Sequence, residues 1–327
     1  MNTPTRLGAY ALVLVAAFGT AAAVGSAVGP VSAETPHDSA HGESSRLDDA
    51  ATHADHGGGA VDQAAADETP GGLMISEHGY TLSLERDTLP AGARTPVGFR
   101  VLGPDGEPVT SYTDTHDKDL HFIAVRRDMT GFQHVHPELG RDGTWRTPLT
   151  LTPGEWRVFA DFTPVGSGEA MTLGADVSVA GAYAPRPLPE PSATARVDDY
   201  TVSLGGRLVP GAESELTLTV GKDGRPVTDL QPYLAAYGHL VALRDGDLAY
   251  LHVHPAGEPG DGTTQPGPDI TFYATAPSRG DYRLFFDFRH DGVVRTAAFT
   301  ASAGADTTAG GGADDSRPGP DDDGHSH

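Results

Sequence analysis

Cysteine is absent from all 327 residues, which excludes disulfides, thiolate zinc sites, iron–sulfur clusters and a blue-copper centre. Any metal held by this chain must therefore be bound through nitrogen and oxygen. Methionine is scarce as well, with four in the chain, and Met129 and Met171 have no counterparts in the internal repeat described below, so a thioether ligand is not expected. Basic residues are few: 22 Lys and Arg stand against 45 Asp and Glu, a formal charge of −23. Phosphate recognition needs a basic surface, so nucleic-acid binding is excluded. The acidic surface instead suits an extracellular protein or one that attracts cations. With 42 Gly and 26 Pro, the chain favours short strands and turns over long helices.

What the chain does contain begins with a basic start at Met1–Arg6 and an apolar run, Leu7–Val28, ending in Val31-Ser32-Ala33. Residues 1–33 read as a secretory signal, with Glu34 as the first mature residue, or as an uncleaved membrane anchor, since about 20 apolar residues span a bilayer. Residues 34–72 are Ala, Gly, Asp and His-rich with few large apolar side chains. They cannot bury enough surface to order themselves, so they are expected to form a disordered linker. Its His37, His41, His53 and His56 could bind metal loosely, although a solvating tether is the simpler reading. Residues 304–327 form a second acidic tail of the same kind.

Between these tails, short alternating runs such as Tyr80–Leu84, Pro96–Leu102, Leu120–Val125, Phe132–His136, Glu155–Phe162 and Gly174–Val179 read as strands separated by Gly, Pro and Asp turns. About seven such strands in 100 residues is the pattern of an immunoglobulin-like sandwich. The pattern occurs twice. Tyr200–Leu204 matches Tyr80–Leu84, Gly224–Thr228 matches Gly106–Thr110, and Tyr282–Phe288 matches Trp156–Phe162. The expected architecture is all-β, with a first sandwich at 73–182, a stiff Pro-rich spacer at 183–195 and a second sandwich at 196–303.

Six of the fifteen histidines fall in two copies of H-x12-H-x-H-P, at His121, His134 and His136, then at His239, His252 and His254. Asp245-Gly246 is a preferred two-residue hairpin core, and pairing Arg244 with Asp247 around it sets His239 opposite His252. Opposed residues share a face, as do residues two apart, so each trio should converge. Three imidazoles in this arrangement suit Zn²⁺ or Cu²⁺ and leave an open position. Asp161 and Asp287 are the matching candidates for a fourth ligand or for an orienting carboxylate. Asp114 and His116 precede the first hairpin without polar equivalents in the second copy, which makes the first site the better one. The same face also carries Ile123, Val125, Val241 and Leu243, so the histidines could instead be hydrogen-bonded structural residues.

The segment Tyr233–Pro255, with its degenerate copy Asp119–Pro137, resembles secreted or membrane-anchored bacterial proteins described as heavy-metal-binding or copper-associated. The resemblance covers about residues 73–302. It implies extracytoplasmic metal handling, with copper preferred over zinc, for buffering, delivery or sensing. A membrane metal transporter or another extracytoplasmic metal protein is the implied partner. Two alternatives stand beside it. One is a structural or adhesive pair of sandwiches with structural histidines, and the other is a three-histidine metalloenzyme, since an open position could activate water. No general base, nucleophile elbow or cofactor motif accompanies the histidines.

Overall fold

The computed structural model describes residues 69–251 and 253–304. The predicted signal or anchor, most of the His-rich linker, most of the acidic tail and His252 lie outside the described residues. The first sandwich contains β1 (Ser76–Glu77), β2 (Tyr80–Leu84), β3 (Thr88–Leu89), β4 (Gly92–Leu102), β5 (Leu120–Arg126), β6 (Gln133–Val135), β7 (Glu138–Leu139), β8 (Trp145–Leu151), β9 (Gly154–Phe162) and β10 (Met171–Val179). The second contains β11 (Thr194–Val197), β12 (Tyr200–Gly206), β13 (Glu213–Lys222), β14 (Arg225–Pro226), β15 (His239–Arg244), β16 (Val253–Pro255), β17 (Asp269–Thr275), β18 (Gly280–His290) and β19 (Val293–Ala303). No helix occurs among the described residues.

Each half is an immunoglobulin-like sandwich. In the first, β1-β2-β4-β8-β7 faces β3-β10-β9-β5-β6; in the second, β11-β12-β13-β17-β16 faces β15-β18-β19. Strand β8 alternates, buried at every second residue from Trp145 to Leu151, although Pro148 interrupts the run. Pro148 stands opposite Pro96 of β4, and both lie beyond the stretches that β7 and β2 cover. Neither missing N–H is therefore needed by a third strand. The first core packs Phe99 against Phe122, with ring centroids 4.4 Å apart, and Trp145 and Trp156 fill the same layer. The second core is built on Tyr200, Phe272, Phe286 and Phe288.

Strands β5 and β15 are buried on both faces over almost their whole length. One face, with Phe122 and Ala124 or Leu240 and Ala242, enters the strand's own core. The other face enters a third apolar cluster that joins the sandwiches through matching positions: Ile123 with Val241, Val125 with Leu243, and Phe159 with Phe285. Phe132 stacks on Phe285 at 4.0 Å across this junction. The spacer is docked along it as well. Arg126 lies over the Tyr183 ring, the Arg186 amide donates to Asp128 at 2.9 Å, and Leu188 packs on the junction cluster.

The N-terminal segment closes one side of the junction. The Tyr250 amide donates to the Gly71 carbonyl at 2.9 Å and the Gly72 amide to that of Thr172 at 2.7 Å. Arg157 donates to the carbonyl of Gly72 at 2.6 Å. Gly72 has φ of 73°, and a Cβ there would meet the Phe159 ring at 2.5 Å. Only glycine permits this passage of the chain.

Candidate metal centre at the domain junction

The histidine-bearing hairpins do not close through the expected two-residue turn. In the second copy the Arg244 amide donates to Ala249 and the Leu248 amide to Arg244, both at 3.0 Å, and Leu243 bridges Tyr250. The Asp247 carboxylate accepts from Arg244 Nε and from the Ala249 amide, both at 3.0 Å. This carboxylate-braced loop, with Leu248 at φ 63°, replaces the Asp-Gly turn. Asp128 does the same in the first copy, taking two bonds from Arg126.

The register is consequently shifted by two residues, so His134 lies opposite Ile123 and not opposite His121. A two-residue shift preserves the face. His121, His134 and His136 therefore still converge, and one ligand nitrogen from each lies within 4.8 Å of the others. His134 Nε2 is 3.0 Å and His136 Nε2 is 3.2 Å from His121 Nδ1. The ring centroids of this trio are 5.0 to 5.3 Å apart.

The second trio is distributed differently. His239 stays on β15, but the following strand leaves that sheet early. After Leu251 the chain crosses, and Val253–Pro255 pair with β17, whereas in the first copy Val135, the counterpart of Val253, still pairs with β5. Val253–Pro255 form β16, which takes His254 out of a converging trio but leaves it on the wall of the same cleft as His121, His134 and His239. The half-exposed side chain of His254 is 3.7 Å from Glu213 and lies near the Tyr273 ring. His239 faces the first sandwich instead, with its ring 6.0 Å from His134, 6.3 Å from His121 and 5.2 Å from His116. His252 is outside the described residues; among the described histidines, His239 joins His116 and the first trio in one cluster at the junction, to which both sandwiches contribute.

The aspartates also occupy unequal positions. In register, Asp161 pairs with His121 and Asp287 with His239. Asp287, 4% exposed, reaches across the junction and accepts from His134 Nδ1 at 3.1 Å, while its other oxygen accepts from Thr296. It orients a histidine of the other sandwich rather than one of its own. Asp161 accepts from Thr172 at 3.3 Å, and burial pushes its carboxyl up to about 6 against the lowering effects of Thr172 and His134. Asp114 is exposed, and His116 lies at the junction beside His239.

Backbone carbonyls fix the buried rings. His121 Nε2 donates to Thr115 at 2.9 Å and His239 Nε2 to Tyr233 at 2.8 Å. These acceptors lie in matching turns: His116 and Asp117, like Leu234 and Ala235, are left-handed. Burial above all, with neighbouring imidazoles adding to it, lowers His121 to about 4 and His136 and His239 to about 3. All three are neutral at pH 7, which is the ligating form. His121 and His134 line a cleft of about 490 Å³ together with His116, His239 and Asp161.

This arrangement defines a tandem β-sandwich protein with a histidine cluster at the junction of its two domains. The chain belongs to the family described as Domain of unknown function (DUF8832), whose model matches residues 75–181 and again 195–305. That family carries no assigned activity, so the heavy-metal or copper family implied by the sequence resemblance is not the one shown. No curated protein matches the chain. Among solved structures it is similar to the Escherichia coli adhesin FdeC, at 18% identity and TM-score 0.22 over 69% of this chain and 65% of that one. It is also similar to the Yersinia pseudotuberculosis adhesin InvE, at 15% and 0.22 over 70% and 60%, and to fibronectin(III)-like modules of Clostridium thermocellum CbhA, at 10% and 0.19 over 68% and 94%. The chain spans less than two thirds of either adhesin structure. At these scores the likeness carries no argument about function.

Proposed function

We propose that the junction cluster binds a transition-metal ion, zinc or copper, outside the cytoplasmic membrane, for buffering, delivery or sensing. One observation carries this reading. His121 has its proton on Nε2, committed to Thr115, and His134 has its proton on Nδ1, committed to Asp287. Their remaining nitrogens therefore present lone pairs to each other at 3.0 Å. Two facing lone pairs in a buried site require a cation between them or beside them. Three imidazole nitrogens around a tetrahedral ion with bonds of about 2.0–2.1 Å would be about 3.3 Å apart, close to the 3.0 and 3.2 Å separations present. His121, His134 and His136 would be the ligands and Asp287 the carboxylate behind one of them. The preference for copper rests on the sequence resemblance alone, and extracytoplasmic placement on the N-terminal signal or anchor.

The second reading makes the cation a proton. His134 as an imidazolium would pair with Asp287 at 3.1 Å and donate to His121, giving a structural polar junction. This is the structural or adhesive alternative. Titration of the purified chain with Zn²⁺ and Cu²⁺, beside a His134→Ala/His136→Ala variant, separates the two. Tight binding by the parent that the variant loses supports the metal centre. Equal, weak binding by both would abandon it for the protonated junction. Hydrolysis of an ester or hydration of CO₂ by the zinc form would turn the centre into a metalloenzyme.

A further inference from the structure

Resting on the metal reading just given, we infer that His239 of the second sandwich is the fourth ligand, so that the bound ion cross-links the two domains. His239 is 8% exposed and is held by the same device as His121, an Nε2–H donated to the carbonyl six residues earlier, here Tyr233 at 2.8 Å. That bond leaves Nδ1 as its lone-pair nitrogen, as in His121. Its ring lies 6.0 Å from His134 and 6.3 Å from His121, against 5.0 to 5.3 Å within the trio. Imidazoles around one tetrahedral ion have centroids about 5 Å apart, given bonds near 2.0–2.1 Å. His239 thus lies beside the trio but outside the set whose ligand atoms are within 4.8 Å of one another, and coordination requires the second sandwich to approach along the junction.

Further features bear on His239 as the donor, beside which His116 is the other nearby imidazole, 6.1 Å from His121 and 5.2 Å from His239. The second sandwich is already tied to the trio by Asp287, the residue next to His239 across the β15–β18 ladder. Asp161, the corresponding carboxylate of the first sandwich, is turned to Thr172. A four-imidazole shell would also be closed, which fits a structural or storage ion better than a catalytic one.

The test is zinc-edge X-ray absorption on the full chain loaded with one equivalent of Zn²⁺, together with zinc competition titrations of the parent and of His239→Gln. Glutamine keeps an N–H for Tyr233 and similar volume, and circular dichroism and the unfolding midpoint without metal check that it folds. The expected result is four imidazoles in the parent, three in the variant, and an affinity lower by roughly 10–100-fold, the scale on which supporting groups of metal sites act. Three imidazoles in both proteins with unchanged affinity would overturn the cross-link while leaving the three-histidine centre standing. Failure of the parent to bind zinc in a way that depends on His134 and His136 would overturn both.

Discussion

At the residue scale, the decisive property of the cluster is where its protons are. Asp287 is buried, and both its oxygens are engaged, by His134 and Thr296. Asp287→Asn keeps the shape but replaces an acceptor by an amide that must compete for the same proton. The ring of His134 would then be free to adopt the other tautomer, with its ligand nitrogen protonated. Zinc affinity is expected to fall roughly 10–100-fold, measured by competition with a chromophoric chelator. Asp161→Asn, which alters a carboxylate bonded to Thr172 rather than to an imidazole, should change it much less. Equal effects from the two variants would remove Asp287 from its orienting role.

The same residues set a pH dependence for the metal-free protein. Desolvation first, and then neighbouring imidazoles, hold His121 near 4 and His136 and His239 near 3, below the value of about 6.5 expected when unfolded. Well above pH 6.5 the rings are neutral in both states and contribute nothing to the slope. Below it the unfolded chain takes up protons that the folded chain refuses, so stability falls as pH falls. Between pH 7 and 5 the loss is of the order of 2 kcal/mol for each of the buried rings of His121 and His239, and less for the half-buried His136, whose charge water screens. Urea denaturation at the two pH values measures it. A stability that is flat over this range would mean that the rings are not sealed in the junction.

At the element scale, each hairpin depends on a turn carboxylate. Asp128 has a side chain 3% exposed, and although burial alone would raise it, bonds from Arg126, the Arg186 amide and Thr130 bring it down to about 2. Asp128→Ala leaves Arg126 and a spacer amide without their acceptor, which should cost about 1–3 kcal/mol by chemical denaturation. Asp247 is 41% exposed, so Asp247→Ala should cost less. The reverse order would contradict the bracing role of the buried turn.

Much of this organisation is legible in the sequence. Alternation locates most strands, and the duplication shows through Tyr80 and Tyr200, or Asp161 and Asp287, because sandwich strands carry their own hydrophobic signal. The register of the hairpins is not legible, since Asp-Gly suggests the shortest turn while the side chain of Asp247 selects a longer one. Convergence of the first trio survives because an even shift leaves faces unchanged. The fate of the second trio depends on where the chain crosses between sheets, a tertiary choice with no local mark at Leu251. One signal bears directly on the junction. The runs Leu120–Val125 and His239–Leu243 are apolar at nearly every position, as in strands covered on both faces, so the outer face of each sheet needed a partner. Each sandwich is that partner for the other.

At the scale of the whole molecule, the two sandwiches should behave as one cooperative unit. The junction buries Ile123, Val125, Phe159, Val241, Leu243 and Phe285 at 4% exposure or less, and each such side chain contributes roughly 1.5–3 kcal/mol through burial. The docked spacer and the Gly71–Tyr250 pairing add contacts that neither domain could make alone. Phe285 is the most telling position, because its ring stacks on Phe132 of the other sandwich whereas its neighbour Phe286 lies in the core of its own. Phe285→Ala should cost about 3–5 kcal/mol and split a single calorimetric transition into two, one for each sandwich. Phe286→Ala should lower the second sandwich by a similar amount and leave the first with its own midpoint only if the junction is already weak. The proposed metal would act on the same coupling: at about one hundred times its dissociation constant it would add about 2.7 kcal/mol. Because Asp287 belongs to the second sandwich and His134 to the first, that increment should appear in the unfolding of both. Two independent transitions in the unmodified protein, with metal shifting only the first, would show that the junction does not couple the domains.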